Sequence, residues 1–346
     1  MKNFRNLIIF FCLLNIYLYA DRDLPDNNLS YPVLLKAGNH TASGFYLRND
    51  NKFYFVTAKH TIVHSKRDST IISFKEEQII IPNSIQDIMV HNEVKDYLVF
   101  FGIMSYNNLI ELLQLNTNNE TQDKIIELFI STYNFISNKI KLTSYSPDFS
   151  DPKRNIIELN LEELLLQNFI ELSNEHDVAI IEIGNLINKD EDDNIKFYDP
   201  IVFFQRNSKG FLCVESNSIK IFDDVLIGNE IFVFGYPTSI GLENIPQIDY
   251  NRPLLRKGII AGKNYKNSTI IIDCPIYYGN SGGPVVEIEK FGINQTKFKI
   301  IGLIIEFIPF AEIWLNETHK YRNYELSNSG FSVVEPMDFI LELINN

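Results

Sequence analysis

Cysteine is scarce in this chain, three in 346 residues, which excludes a disulfide-dense scaffold and leaves apolar packing to build the core. Basic residues are outnumbered, 31 Lys and Arg against 44 Asp and Glu, and the net charge of -13 lacks the basic footprint that phosphate-backbone binding requires. No nucleic-acid partner is therefore expected. Glycine (16) and proline (13) are too few for a collagenous chain or a low-complexity linker. After the first twenty residues no stretch is long and apolar enough to span a bilayer, so no transmembrane span is expected once that leader is removed. What remains, 45% hydrophobic and 13% aromatic, suffices to fill one large or two modest cores.

The leader itself has a recognisable layout. Lys2 and Arg5 precede an apolar run from Leu7 to Tyr19, and Ala20 is followed by Asp21-Arg22-Asp23. A basic start, a short apolar middle and a small residue at the cut make a secretory signal peptide over residues 1–20, with an uncleaved anchor as the alternative. Export places Cys213 and Cys274 in an oxidising compartment, where one disulfide and two buried free thiols fit the sequence equally well.

From residue 31 onward, short runs rich in Val, Ile, Phe and Tyr alternate with Asn, Asp, Gly and Pro, the pattern of strands and turns. Runs at 44–47 and 53–58 flank Asn49-Asp50-Asn51 and predict a hairpin. Strands are also predicted at 70–74, 78–81, 97–103, 139–142, 155–159 and 178–183. The stretch 107–138 differs, because Leu109, Leu112, Leu113, Ile125, Ile126, Leu128 and Phe129 recur at helical spacing; it reads as a helical insertion. A short helix is plausible at 161–167. Further strands are predicted at 230–234, 258–261, 268–272, 285–288, 299–305 and 331–334. The chain thus reads as mainly β in two halves, 32–200 and 201–346.

Three segments carry chemistry. In Tyr277-Tyr278-Gly279-Asn280-Ser281-Gly282-Gly283-Pro284, a lone serine sits among glycines that permit a tight turn, and the amides of Gly279 and Ser281 are available for a developing oxyanion. A serine hydroxyl needs an adjacent base and the base an orienting group. Of six histidines, His60 stands where the apolar strand Phe55-Val56-Thr57-Ala58 ends. Asp177 heads Val178-Ala179-Ile180-Ile181, a carboxylate at the mouth of a buried strand, where burial demands a paired donor. Taken singly these are a glycine-rich turn, a strand-end histidine and a capping acid; together they supply three complementary roles.

Thr57-Ala58-Lys59-His60, Asp177-Val178-Ala179-Ile180-Ile181 and Gly279-Asn280-Ser281-Gly282-Gly283-Pro284 resemble the three catalytic blocks of trypsin-like (chymotrypsin-fold) serine peptidases, in the same order. Ser43-Gly44-Phe45, Phe232 to Pro237, Gly302-Leu303-Ile304 and Gly330 to Pro336 resemble flanking family segments, so the likeness covers roughly residues 32 to 344. It implies two six-stranded antiparallel β-barrels, with the helical insertion in the first half and a short C-terminal helix. It implies Ser281 as nucleophile, His60 as base, Asp177 as its orienting acid, and the amides of Gly279 and Ser281 as oxyanion hole, with a polypeptide substrate and no metal or organic cofactor. Asn280 stands where animal digestive members have the Asp that pairs with a new N-terminus. The bacterial, high-temperature-requirement-like branch is therefore the nearer likeness, and no PDZ-sized region follows the final block.

Other departures qualify the likeness. His60 and Asp177 are unusually far apart in sequence, and Asp96, heading Tyr97-Leu98-Val99-Phe100, is a rival orienting acid. Lys59 replaces a usually small residue beside the base. Tyr277, Tyr278, Ile305 and Phe307 are implied to line the substrate pocket, and the bulk of Glu306 and Phe307 suggests a narrow or reshaped one. Two alternatives remain. Gly279-x-Ser281-x-Gly283 satisfies the nucleophile elbow of α/β-hydrolases, but a strand rather than a helix follows it and only His319 lies downstream. A catalytically silent homologue that binds peptides or a partner is the other.

Overall fold

A computed structural model of the chain describes residues 24–25, 28–63, 135–146, 153–186, 195–206, 210–237, 246–247, 249, 252–291, 295–316 and 321–345. The leader, Asp96, the strands expected at 70–74, 78–81 and 97–103, and nearly all of the helical insertion at 107–138 lie outside the described residues.

The first half is a sheet of β1 (Pro32–Ala37), β2 (His40–Asn49), β3 (Lys52–Thr57), β4 (Lys139–Tyr145), β5 (Arg154–Asn160), β6 (Ile170–Leu172), β7 (Ala179–Leu186), β8 (Ile195–Phe197), β9 (Ile201–Gln205) and β10 (Val214–Glu215). The second is a closed barrel of β11 (Glu230–Gly235), β12 (Leu254–Asn264), β13 (Thr269–Asp273), β14 (Pro284–Phe291), β15 (Gln295–Asn316) and β16 (Tyr321–Pro336). The helices are short: α1 (Leu161–Leu166), whose cap Asn160 accepts from the Glu163 N–H, and α2 (Met337–Asn345) at the C-terminal end.

This is the expected mainly β, two-barrel architecture of the chymotrypsin type, with a difference in the first half. Among the described residues its strands run β6-β7-β3-β2-β1-β4-β5-β9, a ten-stranded sheet with β8 and β10 off the path, and the described strands form a closed six-stranded barrel in the second half alone. Among the described residues β5 takes β9 as its neighbour, pairing Leu159 with Ile201 and Ile157 with Phe203. β9 and β10 thereby carry the first sheet past residue 200, and Ile201 is buried in its core.

Period-two alternation explains where the site falls. In β3, Phe53 and Phe55 enter the core of the first half while Tyr54 and Val56 face a second apolar layer. β7 divides likewise, Ala179, Ile181 and Ile183 to one side and Ile180 to the other, as does β2 with Tyr46 against Phe45 and Leu47. These three strands are apolar on both faces because they form the wall between two cores. The second layer also takes in Ile300, Leu303, Met337 and Ile340, so it lies between the halves and beneath α2. Each fully buried side chain of this kind contributes about 1.5–3 kcal/mol relative to exposure.

β3 and β7 are antiparallel, with Thr57 opposite Ala179, so the end of one and the start of the other lie at the same edge. Likewise β11 and β14 pair Val233 with Val285, which brings Gly235 beside Gly283. The residues singled out from the sequence stand at these strand ends.

Candidate active site

His60 lies in the single 3-10 turn Lys59–Thr61 that follows β3. The turn is tied down by neighbouring hydroxyls: Thr61 Oγ1 donates to the Ala58 carbonyl at 2.7 Å and lies 3.0 Å from Thr57 Oγ1. Asp177 Oδ2 sits 2.5 Å from His60 Nδ1, and Asp177 Oδ1 accepts the His60 main-chain N–H at 2.9 Å, a two-point contact between residues 117 apart in sequence. The Asp177 carbonyl in turn accepts the Lys59 N–H at 3.2 Å. Burial works to raise the Asp177 carboxyl, but the His60 hydrogen bonds and the charges of His60 and Lys59 outweigh it and hold the group below its ordinary value. Lys59 does not intrude on the imidazole; its ammonium reaches the Ser173 carbonyl, and burial lowers its pKa against the pull of Asp177 and Glu335.

Ser281 sits on a loop whose glycines are demanded by close packing. Gly282 has φ +82°, and a Cβ there would lie 2.1 Å from the Ser43 carbonyl oxygen and 2.3 Å from Thr57 Oγ1. That contact sets the serine loop against the strand leading to His60. Main-chain bonds lock it: the Ser43 N–H donates to the Ser281 carbonyl at 2.9 Å, the Gly282 N–H to Ile304 at 2.7 Å, and the Ile304 N–H to Gly283 at 3.0 Å. Gly279 has φ +91° and occupies the third position of a turn closed by the Asn280 N–H on the Tyr277 carbonyl at 3.0 Å, where a type II turn needs positive φ. Ser43 Oγ braces the turn, donating to the Gly279 carbonyl at 2.7 Å and accepting the Tyr236 N–H at 2.9 Å. The N–H groups of Gly279 and Ser281 have no hydrogen-bond partner among the described residues and are free to donate to an incoming oxygen.

The serine hydroxyl is not joined to the imidazole. Ser281 Oγ donates to the Ile305 carbonyl at 3.4 Å, a long bond, and no hydrogen bond links it to His60 among the described residues. Asn280 is buried, with its Oδ1 accepting the Tyr277 N–H at 3.4 Å. Of the residues expected around the pocket, Ile305 turns its side chain to the layer between the halves, whereas Phe307 packs on the core of the closed barrel. Tyr278 is 69% exposed and meets the Phe307 ring edge-on at 6.0 Å, and Tyr277 lies under the Arg256 guanidinium at 4.7 Å. Cys213 and Cys274 are both free thiols and belong to different cores.

A second tier behind Asp177 was not singled out from the sequence. Glu335, at the end of β16, is buried; its Oε1 accepts the Asp177 N–H at 3.1 Å and lies 3.1 Å from His176 Nδ1. The His176 ring stacks on Phe339 of α2 at 3.3 Å between centroids. The available signal was the one that marked Asp177, an acid at the end of an apolar strand, here Phe331 to Val334. Among the described residues no group of His, Cys, Asp and Glu side chains has the arrangement of a metal site, and no helix is long and apolar enough to cross a membrane.

No family model matches the chain, and no curated protein does. Solved structures do resemble it. Deg5 shares 13% identity over 91% of this chain and 88% of its own, with a TM-score of 0.40. The HtrA-type protease AlgW, solved with a tripeptide, shares 11% over 93% of this chain, which spans 63% of AlgW, at a TM-score of 0.38. Human heparin binding protein shares 8% over 94% of this chain and 96% of its own, at 0.42. These likenesses are in fold.

Proposed function

We propose that the chain is an exported serine endopeptidase that cleaves polypeptides through an acyl-enzyme. The observation that carries this reading is the His60–Asp177 contact at 2.5 Å beside a serine loop with two undonated amides. Ser281 Oγ attacks the scissile carbonyl carbon as His60 Nε2 takes its proton. Asp177 accepts the Nδ1–H, which fixes the tautomer that leaves Nε2 free and stabilises the imidazolium. The new oxyanion receives the N–H groups of Gly279 and Ser281, each such donor being worth about 3 kcal/mol in the transition state. The imidazolium then protonates the departing amine. Water attacks the ester, again losing its proton to His60, and the acid product leaves with the Ser281 hydroxyl restored. For the first step Ser281 Oγ must leave the Ile305 carbonyl and reach His60; such contacts commonly tighten only when substrate binds.

That same Ile305 contact favours the second reading, a catalytically silent homologue that binds a peptide in the cleft. Treatment of the purified protein lacking residues 1–20 with a fluorophosphonate probe separates the two. Labelling of the wild type, lost in Ser281→Ala and in His60→Ala, is the expected result; a folded wild type that takes no label rejects the peptidase.

A further inference from the structure

We infer that Glu335 is a positioning residue for the His60–Asp177 pair, acting through the main chain of Asp177; the inference rests on the peptidase reading above. Asp177 is held at three points. Its carboxylate meets His60, its carbonyl accepts the Lys59 N–H, and its own N–H is taken by Glu335 Oε1 at 3.1 Å. The first two contacts come from the turn that carries His60 and move with it. Glu335 belongs to a different half of the molecule, on β16 just before α2, so it references Asp177 to the closed barrel that also carries the serine loop.

The bond is unusual for what surrounds it. The Glu335 side chain is 4% exposed, and its Oε2 has no hydrogen-bond partner among the described residues. A carboxylate placed there next to a second carboxylate is costly and is retained only if its contacts repay it. The groups that face it are His176, whose Nδ1 lies at 3.1 Å, Asp177, and the Lys59 ammonium, whose charge is felt by both acids. His176 is in turn clamped by its stack on Phe339. Burial raises the Glu335 carboxyl above its ordinary value, in accord with a group held for its geometry at a price in solvation.

The test compares Glu335→Gln, which keeps an oxygen acceptor of the same reach, with Glu335→Leu, which fills the space without one. Thermal unfolding checks that both fold. Two readouts are taken: the rate of fluorophosphonate labelling, and the low-field proton resonance of the hydrogen-bonded His60 imidazole, assigned by its loss in His60→Ala. Glu335→Leu is expected to label about tenfold or more slowly and to lose or broaden the resonance, with Glu335→Gln restoring both to within about threefold of wild type. A folded Glu335→Leu with wild-type rate and resonance overturns the inference, as does a Glu335→Gln that behaves like Glu335→Leu. If the wild type takes no label, the peptidase reading has failed, and the resonance alone then decides whether Glu335 orders the His60–Asp177 pair.

Discussion

Replacing Ser43 with alanine tests whether the serine loop is held by the hydroxyl described above. Ser43 Oγ is buried and bonds two buried main-chain groups, the Gly279 carbonyl at 2.7 Å and the Tyr236 N–H at 2.9 Å. Alanine removes the hydroxyl that both groups share and leaves each buried without it. An orphaned buried donor or acceptor costs about 1–3 kcal/mol, so the pair together costs about 2–6 kcal/mol, nearer the lower figure if the Gly279 turn relaxes outward. A loss of about 3 kcal/mol lowers the Tm by roughly 4 °C in a chain of 346 residues that unfolds as one unit. Urea unfolding followed by circular dichroism gives the free energy directly, with Ser329→Ala as control, since Ser329 Oγ also bonds a main-chain carbonyl, that of Ile308, but in an exposed position. The control is expected within about 0.5 kcal/mol of wild type. The same Ser43→Ala protein is expected to take fluorophosphonate more slowly, because the brace under Gly279 is gone. A Ser43→Ala protein as stable as the control refutes the reasoning.

The remaining predictions concern the pocket, the thiols and pH. If Phe307 limits the space for the substrate side chain before the cleaved bond, Phe307→Ala shifts cleavage of a peptide library towards large aromatic residues there by about tenfold or more; an unchanged profile removes Phe307 from the pocket. Burial pushes the Cys274 thiol up to about 11, so iodoacetamide at neutral pH is expected to spare it until urea is added, and a non-reducing peptide map that joins it to Cys213 contradicts the free-thiol assignment. Asp177 is depressed, so its stabilisation is full above the unfolded aspartate range near ~3.9 and is lost as pH falls through the lower folded value. Glu335 is raised, so the folded state keeps its proton longer and stability declines as pH climbs from the unfolded glutamate range to the folded value. Glu335→Gln abolishes only the second trend. Its stability relative to wild type should therefore improve as pH climbs above the unfolded glutamate range, and a difference that is flat with pH defeats the assignment.

Local rules made much of this legible. Gly279 and Gly282 announced a turn that only glycine tolerates, and both adopt positive φ. The paired apolar runs about Asn49-Asp50-Asn51 form the β2–β3 hairpin, with Asp50 at φ +52°. Asp177 could be weighed against solvation cost, and its contact with His60 answers that cost, while Asp96 lies outside the described residues. What escaped is non-local. The strands expected at 299–305 and 331–334 run on into a long hairpin, β15 and β16, that continues past the barrel to Asn316 and Tyr321. Pro309 is accommodated within so long a strand where the register shifts between Phe307 and Pro309. The pairing of β5 with β9 was invisible because the two strands meet only in three dimensions. The rotamer of Ser281 and the role of Glu335 depend on partners from other elements, which no periodicity encodes.

The antiparallel bridge between Val63 and Phe135, backed by the Ile136 N–H on the Ile62 carbonyl at 2.9 Å, closes a neck immediately after the turn that carries His60. The two ends of the chain between them are thereby held side by side. The entropy of closing such a loop grows only with the logarithm of its length, about 0.6 kcal/mol for each doubling. A change in the number of residues between them therefore adds little to the cost of closing the neck, whose two sides stay anchored next to the turn that carries the imidazole.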